Sequence, residues 1–109
     1  MRVARLTILA QTARLWVDAT SAAAESGNDA ASAVTLVLLA REAVEQACLA
    51  GIAMAERALG TAAFETSGDA DRIRRDLSFF LRQANLDGKL AAAADALLAQ
   101  PHPVGEIWQ

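Results

Sequence analysis

The chain has 109 residues, a mean hydropathy of +0.24 and a formal net charge of −3. That length makes one domain. With 54% hydrophobic and 21% charged residues it can bury a core and is not a disordered tail. The acidic balance argues against a nucleic-acid surface, and the single Cys48 leaves no intrachain disulfide. The longest uncharged run, Ala30 to Ala40, has eleven residues, short of the roughly 18–20 that cross a bilayer.

Ala contributes 27 residues and Leu 14, against two Pro and six Gly. Such a composition reads as all-α, and the expected architecture is an up-down four-helix bundle: two long helices followed by two shorter ones. Residues 1–100 form the bundle and 101–109 a tail. The opening Met1-Arg2-Val3-Ala4-Arg5 is basic, but Thr7, Gln11 and Arg14 interrupt the apolar residues after it. No signal peptide is read there, and the expected location is cytoplasmic. A small domain leaves much of its surface outside, so positive hydropathy predicts that many apolar residues face another chain.

The first helix is predicted over Arg2–Ser26. Val3, Leu6, Ala10, Ala13, Val17, Thr20 and Ala24 recur at helical spacing and predict its buried stripe, with Leu9 and Trp16 beside it. Gly27 suits a left-handed helix stop, and Asn28 or Asp29 can cap the next helix.

The second helix is predicted over Ala30–Leu59. One stripe is Val37, Ala40, Val44, Ala47, Gly51, Met54 and Ala58. Its neighbour is Leu38, Arg41, Glu45, Cys48, Ile52, Ala55 and Leu59. The stretch 33–40 is apolar nearly all round, the mark of a central helix or one sandwiched between chains. Gly51 costs roughly 1 kcal/mol of helix propensity against Ala, and close approach of another helix would compensate.

After a loop over 60–68, the third helix is predicted over Asp69–Asn85. Its polar face carries the pairs Asp71–Arg75 and Arg72–Asp76. Its apolar face carries Ile73, Leu77, Phe80, Leu81 and Ala84. Asp87 can cap a fourth helix, Gly88–Ala99, with Leu90, Ala94, Leu97 and Leu98 inward. Pro101-His102-Pro103 ends it, and Ile107 and Trp108 of the tail could dock on a neighbour.

Few of these residues point to chemistry. No glycine-rich nucleotide motif is present. His102, alone between two prolines, has no partners for a metal site, and Glu42, Glu45 and Glu56 lack the Glu-x-x-His repeats of a di-metal helix pair. Cys48 reads as a small buried hydrophobe. Arg72, Arg74 and Arg75 could hold phosphate, CoA phosphates included, but Asp69, Asp71 and Asp76 neutralise them. An ion-pair network is the simpler expectation.

One segment carries a family resemblance. Arg57-Ala-Leu-Gly60-Thr61-Ala-Ala-Phe64 is followed, after eleven residues, by Asp76, preceded by Asp71-Arg72-Ile73-Arg74-Arg75. It resembles the C-terminal helical domain of the acyl-CoA dehydrogenase family, with its glycine loop and its following Glu-Arg-x-x-Arg-Asp helix. Thr61 stands where that loop has a second Gly. The resemblance implies a domain, or small subunit, that packs across a subunit interface and closes one side of a flavin/acyl-CoA cleft supplied by another polypeptide. It places Gly60 and Thr61 nearest the FAD, and gives Arg75 and Asp76 a structural role. It implies no catalytic residue here, because Ala84 stands where many relatives have the Glu that abstracts the α-proton. Without the family's other two domains, an oxidoreductase domain of this kind is expected to be inactive and to hold no FAD alone. The implied partners are further copies of the chain or a flavin-binding large subunit. A free-standing helical oligomerisation or adaptor module, without flavin chemistry, is the alternative.

Overall fold

The computed structural model describes residues 1–27, 29–60, 68–81, 86–101 and 103, apart from the side chains of 80, 86 and 87. It is an all-α four-helix bundle: α1 (Arg2–Glu25), α2 (Ala30–Leu59), α3 (Asp69–Leu81) and α4 (Leu86–Ala99), with no strand among the described residues. Helix α2 is the spine, and α1, α3 and α4 each pack against it. Its 30 residues run about 45 Å at 1.5 Å per residue, which sets the longest dimension of the molecule at 51 Å.

The α1–α2 junction follows local rules. Gly27 sits at φ 72°, a conformation that side chains with a Cβ rarely adopt. Asp29 then caps α2, its carboxylate accepting from the Ala31 N–H at 3.3 Å and from the Ser32 hydroxyl at 3.4 Å. At the far end Gly60, at φ 59°, donates its N–H to the Glu56 carbonyl. This hairpin brings Gly51 of α2 to Leu6 of α1. A Cβ built on Gly51 would lie 3.9 Å from Leu6 Cδ2, an ordinary van der Waals contact. Gly51 therefore faces α1, but α1 does not come close enough to require a glycine.

The stripe expected on α1 is rotated in the structure. Leu6, Leu9, Ala13, Trp16, Ala19, Thr20 and Ala23 are the part-buried positions, whereas Val3 and Val17 are 77% and 51% exposed, and Ala10 and Ala24 lie outside too. Apolar residues surround α1 so evenly that they do not select one face. Trp16, the largest side chain available, sits at the contact instead. Polar Thr20 tolerates this side because its hydroxyl donates to the Trp16 carbonyl at 2.7 Å. Buried Thr35 is satisfied in the same way by the Ala31 carbonyl at 3.0 Å. On α2, Val37 and Ala58 are exposed rather than inward.

The buried apolar core is small: Leu36, Ala40, Ala47, Leu81 and Ala93 among the described residues. On α4, which begins two residues before the expected Gly88, Ala93 is the buried position. Leu98, expected inward, is 82% exposed, and Ala94 is exposed as well. Both lie off the face that Ala93 turns to α2. The expected contributions of Asn28, Phe80, Ala84, Asp87, His102, Ile107 and Trp108 lie outside the described residues or side chains.

Candidate functional site: an ion-paired groove and an uncovered apolar surface

Two features stand out, one between α2 and α3 and one on the outside of the hairpin.

Helix α3 turns its charged residues, not only its apolar ones, toward α2. Asp71 is 2% exposed, although the sequence placed it on a solvated face. Its Oδ1 accepts from Arg74 Nη2 at 2.6 Å, and its Oδ2 lies 2.8 Å from Arg75 Nε. Arg74 also reaches across to Glu56 of α2, Nε to Oε1 3.6 Å. A carboxylate is buried tolerably only when cations and hydrogen bonds replace its water. Two arginines, three and four residues along the same helix, supply the charge, with one hydrogen bond, from Arg74 to Oδ1. Asp71 also sits in the first turn of α3, where the helix dipole favours negative charge. The expected pair Asp71–Arg75 is present. Arg72 pairs with Asp69 at 3.6 Å in place of Asp76, because the i−3 carboxylate at the helix start lies within its reach.

Beside this network runs a groove of about 210 Å³ lined by Ile52, Ala55, Glu56, Leu59, Ala70, Ile73 and Arg74. Ile73, expected in the core, is instead 57% exposed on this wall. Gly60 follows the lining residue Leu59 directly, Arg75 shares Asp71 with the lining residue Arg74, and Asp76 is exposed on the same helix. Thr61 lies outside the described residues. The groove does not fit a flavin dinucleotide. Its volume is below the 300–1,000 Å³ of ordinary ligand sites. Asp69 and Asp71 occupy the first turn of α3, where a pyrophosphate would need free N–H groups and no competing carboxylates. Arg74, the one cation among the described residues of its wall, is already shared between two carboxylates.

Nor does any other described group look activated. No cluster of three His, Cys, Asp or Glu side chains that could hold a metal occurs among the described residues. Cys48 is half-buried, and burial pushes its thiol above the usual 9.0, the opposite of what a nucleophile needs.

The second feature is surface. The chain exposes 7534 Å², whereas a folded monomer of 11.4 kDa exposes about 5,800 Å². Its radius of gyration, 16.5 Å, likewise exceeds the roughly 13 Å of a compact chain this long. Large apolar side chains are exposed: Ile8 64%, Leu15 58%, Val34 57%, Leu49 49% and Phe79 69%, together with Val3 and Val17. The amount of apolar surface was readable from hydropathy. Its location was not, although the seven-residue spacing of Ile8 and Leu15 was a usable signal.

No protein-family model, curated protein or solved structure matches this chain. No helix among the described residues is long and apolar enough to cross a membrane. A lipid bilayer spanned by these helices therefore does not account for the uncovered surface.

Proposed function

We propose that the chain is a helical association module, whose task is to join copies of itself through the outer faces of its long hairpin. The observation that carries this is the set of large aliphatic side chains left exposed on the hairpin, Val3, Ile8, Leu15, Val17, Val34 and Leu49. Area of this kind is worth roughly 25 cal/mol per Å² when covered, before the costs of association. Sedimentation velocity of the purified chain from 5 to 100 μM tests the reading. The expected result is a dimer or larger species, and a stable 11.4 kDa monomer throughout overturns it.

A second reading takes its support from the sequence resemblance alone, in the run Arg57 to Phe64 and the pair Arg75-Asp76. In it the chain is the acyl-CoA-dehydrogenase-type C-terminal domain or small subunit, and the α2–α3 end closes a flavin/acyl-CoA cleft whose FAD is held by another polypeptide. The chain then supplies packing and exclusion of water, and no proton transfer. Titration of FAD with this chain alone is expected to leave flavin fluorescence unchanged; strong quenching with retained yellow colour overturns it.

A further inference from the structure

We propose that the first half of α3 is a flap, which lifts off α2 about the fixed point of Leu81 and is latched shut by Arg74 against Glu56. The inference is independent of self-association and concerns the α2–α3 end of the fold.

The two ends of α3 are seated unequally. Leu81, its last residue, is 5% exposed. At the other end Ala70 and Arg74 are part-buried, and Ile73, on the wall that faces α2, is 57% exposed. The same inequality runs along α2. Its buried residues, Thr35, Leu36, Ala40 and Ala47, all precede Gly51, and none of residues 52–59 is buried. Here the helices meet around a groove of about 210 Å³, and side chains that line a gap forfeit the dispersion contacts of a filled core. Ala70 lies eleven residues before Leu81, about 16 Å along the helix. A tilt of about 20° at Leu81 therefore carries Ala70 about 6 Å off α2.

The charges permit this motion. Separating a buried carboxylate from its cations is costly. The cations of Asp71 are Arg74 and Arg75, on its own helix, so the cluster travels with α3 unbroken. Across to α2 runs a weaker contact, Arg74 Nε to Glu56 Oε1 at 3.6 Å, with 25% and 32% of the two side chains exposed. A part-exposed pair of this length is a modest restraint, enough to favour the closed form and too weak to forbid the open one. Lifting turns the narrow groove into an open apolar strip of Ile52, Ala55, Leu59 and Ile73. An opening of this kind costs less than unfolding the chain.

The test is thiol labelling of the folded full chain in a Cys48→Ser background, with Ala55→Cys as the probe and a reagent too bulky for the closed groove. Labelling is expected at least about 10-fold faster than global unfolding, measured in urea, allows, and well below the rate of the urea-unfolded chain. Ala70→Cys, on the facing wall, is a second probe with the same expectations. Glu56→Gln is expected to speed labelling about 2- to 5-fold, and to add nothing once Arg74→Gln is present. Labelling at the global rate alone overturns the flap, and labelling at the unfolded-chain rate overturns its closed form. No gain from Glu56→Gln overturns the latch. So does a gain that persists beside Arg74→Gln, because it reports loosening of the end of α2 by itself.

Discussion

Helices α1 and α3 both lean on α2, and they are held by different means. Helix α1 is long, apolar nearly all round, and attached by aliphatic and aromatic contact along one side. Helix α3 is short, and its seat includes the buried carboxylate of Asp71, clasped by Arg74 and Arg75. Apolar contact is non-directional, so a helix such as α1 can satisfy α2 and still present a usable face elsewhere. A buried ion cluster is directional, and fixes both the rotation of α3 and its height against Glu56. The difference separates two roles: α3 closes one end of the fold, while α1 is left with area for another chain.

Substitutions can break that contrast. The largest effect is expected at Asp71→Ala, which removes the carboxylate of Arg75 and leaves Arg74 with Glu56. A fully buried broken pair costs about 3–5 kcal/mol. Because Arg74 and Arg75 retain 25% and 59% side-chain exposure, about 2–3 kcal/mol is expected in urea unfolding. Next comes the rotation of α1. Trp16→Ala removes its contact side chain and is expected to cost about 1–2 kcal/mol, since the indole is only part-buried. Val17→Ala, one residue along, should stay within about 0.5 kcal/mol, measured below the dimer dissociation constant. Reversal of that order would restore the rotation expected from the sequence.

Gly51→Ala sharpens the contrast from the other side. The new Cβ meets Leu6 at van der Waals distance, so the gain in helix propensity should appear as about 0.5–1 kcal/mol of added stability in the same urea titration. A loss would mean that α1 sits closer to α2 than this contact allows.

The smallest effect concerns Cys48. Burial raises its thiol in the folded chain above the 9.0 of the unfolded one, so the unfolded state loses the proton first. The associated stability is intact below pH 9 and falls as the pH rises through it. Thiol titration should show folded Cys48 reacting more slowly at pH 8 than the urea-unfolded chain. Equal rates would contradict its placement.

Particular residues show why some of this was legible in the sequence. Helix α2 runs from Ala30 to Leu59, as predicted, because Asp29 and Gly60 act through their own backbone and nearest neighbours. Glycine at position 27 likewise did what its missing Cβ allows. The seat of α3 was not legible. Asp71 has the composition of a solvated face, and only the approach of α2, bringing Glu56 to Arg74, puts it out of water. Of the residues the resemblance pointed to, Arg75 binds the buried Asp71, and neither Gly60 nor Asp76 lines the groove. The groove wall of Ile52, Leu59 and Ile73 was divided between two expected core stripes on different helices.

Sequence by itself determined the helices, their order, the ends of α2 and a surplus of apolar side chains, because each depends on spacing and neighbours within a few residues. Only the tertiary structure decided which side of α1 meets α2, which carboxylate is buried and where the surplus emerges. When Ala, Val and Leu lie on every side of a helix, several rotations bury similar area, and the choice falls to the bulk of Trp16 and the shape of α2, which no local pattern records.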